Sequence, residues 1–397
     1  MYKLLFNKVK KNSALFVMLS SSFCTFLSVY LIKNMATDGI FSLFVLLQIY
    51  IGYSVTLGAL GSDNVILRYV KIDGFVLTIS KTLMWSYIRS YLLSFILFMV
   101  IGRFMFENFD VDNYYLLLIF VFGAALHSLS MWFRLVGNYT KSQIVLNGWK
   151  LVFLSIIFLS FYNGISIEKN FIVVGVLISM FLFIVYALNA FRNIKINIVS
   201  KITQNEGRYF KLQLTFVISL LFFAILGSYD RVALKDHLTV NEFAEYSYLV
   251  TLLLFPIGII ANYIGFKELI EIKKGKSINL TRKSTQAALC AVIIFLIYTC
   301  FLYMSNDYLK IKFDFFIWVA VLIIVLCKVP YSFSSAILGA KGEAKDLNII
   351  NALSLVAILA SCYFTWLYGN VYFAIYSVSI IWVARSLVFY KKALVYV

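Results

Sequence analysis

The amino-acid sequence predicts an all-α, polytopic membrane protein: about twelve transmembrane helices in two pseudo-symmetric six-helix bundles with a central cavity. Three observations carry that expectation. Of 397 residues, 62% are apolar or aromatic and only 13% are charged, where soluble domains carry about 45–50% and ~25%. With a mean hydropathy of +0.90, too few polar groups are present to cover a water-soluble globule. The apolar residues fall in continuous runs that do not alternate, which argues for a helical bundle over an outer-membrane barrel. Two short segments also recur at nearly the same offset, as described below.

A spanning helix needs about 20 mostly apolar residues. Twelve such runs follow one another, at residues 13–33, 40–60, 83–102, 114–133, 145–162, 171–190, 212–230, 243–264, 285–304, 315–335, 347–367 and 371–389. The first exceeds the roughly 7–15 apolar residues of a signal-peptide core and leads directly into the second, so it reads as a retained span. The fifth is interrupted at its start by Asn147 and Lys150. The eighth carries Pro256 and the tenth ends near Pro330, the only two prolines, and bilayer helices tolerate kinks there. No loop exceeds roughly 22 residues, which excludes a soluble nucleotide-binding, kinase or glycan-processing domain of any size.

Loop charges set the orientation. With the N-terminus inside, the inside segments hold 25 Lys and Arg and the outside segments seven, while acidic residues number 7 inside and 11 outside. That asymmetry over short loops is the positive-inside signature. An even number of spans keeps both Lys3–Lys11 and Lys391–Lys392 inside. The net charge of +17 therefore reads as membrane orientation, and no nucleic-acid partner is expected. The five cysteines, Cys24, Cys290, Cys300, Cys327 and Cys362, all fall in spans without a CxxC pair. They read as packing residues, neither disulfides nor metal ligands.

The repeat joins corresponding corners. Lys33, Thr37 and Phe41 lie over Lys235, Thr239 and Phe243 at an offset of 202, and Lys141 and Asn147 lie over Lys345 and Asn351 at 204. Two halves of six spans, residues 1–205 and 206–397, follow. An even number of spans per half gives a parallel repeat about the membrane normal, for which a substrate site is expected between the halves.

The corner Gly39-Ile-Phe-Ser-Leu43 and the inside exit Gly58-Ala-Leu-Gly-Ser-Asp-Asn-Val-Ile-Leu-Arg68 resemble those of Wzx-type O-antigen and polysaccharide flippases. These belong to the superfamily that also holds the multidrug and toxin extruders. Ser228-Tyr-Asp-Arg231, Tyr246-Ser-Tyr-Leu and Leu338-Gly-Ala-Lys-Gly-Glu-Ala-Lys345 are similar to the second-half counterparts. The resemblance implies a multi-pass protein of the bacterial inner membrane with both termini cytoplasmic. It implies alternating access around a cation-lined cavity, and a substrate that is an undecaprenyl-pyrophosphate-linked oligosaccharide carried to the periplasmic leaflet. Membrane lipids and polysaccharide polymerase machinery are the other implied partners, and no cofactor is implied.

Physical demand agrees with that reading. A pyrophosphate with several sugars cannot cross hydrocarbon unaided, because each unpaired polar group costs several kcal/mol there. Cations within spans usually face a polar cavity, and three are present: Arg89, Lys328 and Arg385. Arg89 is either a cavity residue or an anchor that snorkels inward with Lys81. Lys328 lies two residues before Pro330, where a broken helix would turn it into the groove. Arg385 is near the inside end of its span and is expected to snorkel. Arg68, five residues after Asp63, either meets the pyrophosphate at the inside end of the second span or anchors the helix. Asp230 and Arg231 close the seventh span as a cap, or as a gate or proton-linked pair. His127, the sole intramembrane histidine, is either a structural hydrogen-bonding group or a proton-coupling one. The candidate substrate-binding residues are thus Arg68, Arg89, Arg231 and Lys328, and the candidates for coupling or gating are Asp230 and His127. Ser54, Gly58 and Ser62 form a close-packing face.

Enzyme readings find less support. Gly275-Lys276-Ser277 ends like a phosphate loop, but Ile270 stands where its first glycine is required. Neither His127 nor His237 begins a His-x4-Asp acyltransferase motif. A polysaccharide polymerase would carry a long outer loop or a paired-acid site, and Asp110 and Asp112 read as loop charges. A multidrug or metabolite exporter of the same superfamily remains the alternative transporter.

Overall fold

The computed structural model of the protein describes residues 2–109, 111–200, 208–273 and 279–397. The expected fold class holds: the chain is a multi-pass helical membrane protein. Its elements are α1 (Tyr2–Met35), α2 (Asp38–Leu57), α3 (Ser62–Tyr69), β1 (Lys71–Asp73), β2 (Val76–Ser80), α4 (Lys81–Phe106), α5 (Asn113–Leu135), α6 (Tyr139–Asn147), α7 (Trp149–Tyr162), α8 (Lys169–Phe191), β3 (Lys195–Val199), α9 (Arg208–Leu226), α10 (Tyr229–Leu234), α11 (Val240–Lys273), α12 (Leu280–Met304), α13 (Asn306–Leu309), α14 (Phe315–Lys341), α15 (Ala344–Tyr368) and α16 (Val371–Ala393). Among the described residues, eleven spans are long and apolar enough to cross a membrane. The expected run at 243–264 lies within α11, a 34-residue helix.

Helix starts follow the side chains that can accept a first-turn amide. Thr37 caps α2, Ser80 caps α4, Asn279 caps α12 and Asn370 caps α16. Asp314 accepts from both Phe316 and Ile317 at the start of α14. The two repeated corners share a construction. Lys33 pairs with Asp38 at 2.5 Å and lies over the ring of Phe41. In the second corner Thr239 Oγ1 donates to Glu242 (2.7 Å) and accepts from its amide (3.3 Å), a reciprocal cap at the start of α11. Those hydrogen bonds from Thr239 hold the exposed Glu242 carboxyl below its usual pKa. Phe41 and Phe243 are both buried.

The chain forms two compact units, Met1–Ala224 and Ile225–Val397. In the first, α2 is buried on almost every side among α4, α5 and α8. This unit includes nearly all of α9, whose Gln213 bonds to α4. In the second, α14 packs against α11, α12 and α16. The outward faces of α4 and α15 expose large apolar side chains, Leu92 by 63% and Leu353 by 68%, as a lipid-facing surface requires.

The spans are interrupted at several points. The second span breaks at Leu60 and Gly61, both at positive φ, before α3 begins. Ser94 Oγ lies within hydrogen-bonding range of the Leu57 and Gly58 carbonyls, and Gln213 Nε2 donates to that of Leu60. The broken segment's backbone is therefore satisfied by neighbouring helices, the condition for irregular backbone at membrane depth. The fifth span is divided at Gly148, where a Cβ would stand 2.1 Å from the Phe183 ring. A small sheet of order β1-β2-β3 also forms, with β1 antiparallel and β3 parallel to β2. Pro330, by contrast, does not break its helix: α14 runs continuously through it.

Candidate functional site

Each unit holds its own buried polar cluster. In the first, Gly61 turns the chain so that Asp63 enters α3 in its first turn. Asp63 is buried and its Oδ2 lies 3.1 Å from His127 Nε2 on α5. Its Oδ1 has no hydrogen-bond partner among the described residues. Arg134, two turns further along α5, is close enough for its charge to act on Asp63. Beside this pair, Tyr91 of α4 is hydrogen-bonded to Ser128, next to His127, and contacts Tyr87. Gln213 of α9 accepts from Ser86 (2.7 Å) and donates to Ser90 (2.6 Å), tying α9 to α4.

The expected residues of this unit separate into three places. His127 joins Asp63 in the cluster. Arg68 lies at the end of α3 with its guanidinium 5.1 Å from the ring centre of Phe216 on α9. Arg89 is exposed and stands on the α4 face shared with Trp85, Leu92 and Ile96. The buried face of α4, with Tyr87, Ser90 and Ser94, points the other way.

In the second unit, Asp230 and Arg231 do not end the seventh span, as the sequence suggested. The turn at Gly227 and Ser228 interrupts the helix, and both residues lie on the short α10. Asp230 is only 4% exposed and accepts from the hydroxyl of Tyr246 on α11 at 2.7 Å. Arg231 Nε is 3.7 Å from the other carboxylate oxygen, and its Nη2 donates to the Gly227 carbonyl. Tyr229 anchors α10 to α16 by donating to the Ala374 carbonyl (3.1 Å) and bonding Ser377. Lys328 projects from α14 so that its ammonium lies 5.7 Å from the Trp382 ring centre of α16 and near Gly258 of α11. Arg231 is near enough to act on Lys328 by like charge. No described carboxylate lies within ion-pair distance of Lys328.

Arg385 corrects the expectation of snorkelling. It is 2% exposed, donating from Nε to the Tyr331 hydroxyl (3.2 Å) and from Nη2 to Asn351 Oδ1 (2.8 Å), with Phe389 against its guanidinium plane. The packing of α14, α15 and α16 directs it inward, and Asn351, 1% exposed, meets it there. Tyr246, Arg134, Gln213 and Asn351 were not singled out as site residues from the sequence. Asn351 and Tyr246 did stand in segments noted there, as a repeat match and a motif. The loop Gly275-Lys276-Ser277 and Asp110 lie outside the described residues. All five cysteines are free.

The whole-chain architecture matches solved structures. One is a MOP-superfamily transporter from Pyrococcus furiosus, whose binding pocket has reverse polarity suggesting a different function. It is 12% identical, with 96% of this chain and 93% of that chain covered and a TM-score of 0.60. The fold is that of the MOP transporters. A multidrug resistance MATE-family transporter of the MOP superfamily in an outward-facing conformation aligns over 96% and 95% at 12% identity and a TM-score of 0.58. A point mutant of a MATE protein aligns over 96% and 93% at 11% identity and 0.55. No family model and no curated protein matches the chain. This chain places Asp63 with His127 in one unit, and Asp230 with Arg231 and Lys328 in the other.

Proposed function

We propose that the protein is a transporter that carries an anionic, lipid-linked oligosaccharide across the bacterial cytoplasmic membrane, from the inner leaflet to the outer. The observation that carries this reading is the positive balance of the second cluster. Asp230 is the carboxylate beside Arg231, while Lys328, against the Trp382 ring, has no described carboxylate within ion-pair distance. A cation within a helical bundle and without a carboxylate partner is costly, and an anion such as a pyrophosphate bound beside Lys328 would relieve that cost. Arg68 at the inside end of the first unit supplies a cation where such a headgroup is taken up.

Ion coupling falls to the two acids. Asp63 with His127, and Asp230 with Tyr246, are the buried carboxylates placed for that role. The oligosaccharide itself stays in the polar interior while its lipid tail remains in the bilayer, and polymerase machinery takes the product on the far side. The reverse pocket polarity of the Pyrococcus transporter, which suggests a different function, supports the idea that this one fold serves more than one function. A multidrug exporter is the second reading, favoured by the MATE relatives and by the buried Asp230.

The test is deletion in the native strain with analysis of lipid-linked intermediates. Accumulation on the cytoplasmic side is expected, restored by the parent chain but not by Lys328→Ala or Arg231→Ala at equal abundance. Unpolymerised units on the outer side would indicate a polymerase. Normal glycan with altered drug sensitivity would indicate the exporter.

A further inference from the structure

Outside both clusters, a cavity of about 520 Å³ lies wholly within the first unit. It forms where the end of α4 meets the start of α5 above Tyr50 of α2. Its apolar wall includes Phe98, Phe104, Leu116 and Leu117. Gly102 keeps that wall thin: a Cβ there would come within 3.3 Å of the Tyr50 hydroxyl and 3.4 Å of Leu116. The rim is polar, with Arg103, Glu107 and Asn113. Arg103 and Glu107 are exposed, and neither forms an ion pair with another described residue. Asn113 opens α5, whose N-terminus carries partial positive charge, although its Tyr115 amide is already taken by the Asp112 carbonyl.

We propose that this cavity binds a zwitterionic phospholipid of the phosphatidylethanolamine type. The chemistry of the rim selects it. Arg103 and the amide end of α5 meet the phosphate. Glu107, one helical turn from Arg103 and so about 5–6 Å away at Cβ, accepts hydrogen bonds from the primary ammonium. Phosphate and ammonium in this headgroup are separated by two carbons, a span that matches one turn. The apolar wall takes the first part of an acyl chain, and a cavity of this size is in the ordinary range for small ligands. A quaternary ammonium cannot donate to Glu107, and a glycerol headgroup offers no cation, so neither satisfies both ends of the rim. On the orientation given by the loop charges, this end of the unit lies in the outer leaflet. The site shares no residue with either polar cluster, so it stands apart from the transport reading.

The experiment uses the full-length protein, delipidated in detergent and mixed with equal amounts of dioleoyl phosphatidylethanolamine, phosphatidylcholine and phosphatidylglycerol. Native mass spectrometry then reads which lipid is retained. Phosphatidylethanolamine is expected in several-fold excess over the other two. Arg103→Ala and Glu107→Gln should each lower its retention several-fold, and Leu117→Trp, which fills the cavity, should abolish it. The melting temperature of each variant reports folding. If Leu117→Trp does not fold, the two variants at exposed side chains decide. Equal retention of the three lipids, a preference for phosphatidylglycerol, or unchanged retention in folded Arg103→Ala and Glu107→Gln would overturn the proposal.

Discussion

Tyr246→Phe removes one oxygen and leaves the ring in place, so it isolates the hydrogen bond that this hydroxyl donates to Asp230 at 2.7 Å. Both residues are buried, at 5% and 4% exposure, and water cannot freely replace the lost donor. A hydrogen bond to a charged group contributes about 1.5–3 kcal/mol, and one between neutral groups about 0.5–1.5 kcal/mol. Tyr246→Phe should therefore cost about 2 kcal/mol in the parent chain. In an Asp230→Asn background the acceptor is neutral, and the same change should cost about 1 kcal/mol. For a unit of this size each 1 kcal/mol moves the melting temperature by about 2–4 °C. The expected losses are thus about 4–8 °C in the parent and about 2–4 °C in the Asp230→Asn background. Thermal unfolding of the four purified proteins of this cycle, in one detergent and at one pH, makes the comparison. Equal losses in both backgrounds would refute the claim that the acid at position 230 strengthens this bond, and no loss in either would remove the hydrogen bond itself.

Gly61→Ala should destabilise more than Gly74→Ala in the same melting assay. Both glycines have positive φ, but a Cβ at Gly61 meets Phe216 at 2.8 Å while none is met within 4 Å at Gly74, so the difference reports the crowding at the helix break. Asn351→Leu removes the 2.8 Å acceptor of the buried Arg385 and should cost about 1.5–3 kcal/mol, read as a lowered melting temperature. If the proposed oligosaccharide transport holds, Arg89→Ala, on an exposed apolar face, should leave surface glycan near the parent level at equal abundance, and a loss matching that of Lys328→Ala would place Arg89 in the substrate path instead.

Spans were legible because a bilayer imposes one length and one composition on every crossing. Run after run of about 20 apolar residues can be found without knowing what packs against it. The corners were legible for a related reason: Thr37 and Thr239 are local devices, acting on amides three residues away. Arg385 was misjudged because position along a helix does not reveal its angular direction. Asn351 on α15 and Tyr331 on α14 draw it inward, and neither is near it in sequence. The apolar run at 40–60 did stop at the break, but its satisfaction by Gln213 and Ser94 from distant segments was hidden for the same cause. The sheet did leave a trace. Thr78 separates Leu77 from Ile79 and Asn197 separates Ile196 from Ile198, but two such short alternations so far apart give no sign that they pair. Within the candidate sites, charge identified Asp230, Arg231 and Lys328, while only the packing of α10 against α11 disclosed Tyr246.

The parallel pairing of β2 with β3 also fixes a parity. Val76 lies beside Lys195 and Ser80 beside Val199, so the two strands must be on the same side of the membrane. The chain between them must then cross an even number of times. Four crossings meet that condition: α4, α5, the divided span α6–α7, and α8. Had the segment with Asn147 and Lys150 lain on the surface, β3 would emerge on the opposite side with a bilayer between it and its partner. A short sheet in a loop region thus certifies the weakest of the apolar runs. It also sets an order on biogenesis, because β2 must wait, unpaired along the edge that β3 will take, until four helices have been inserted.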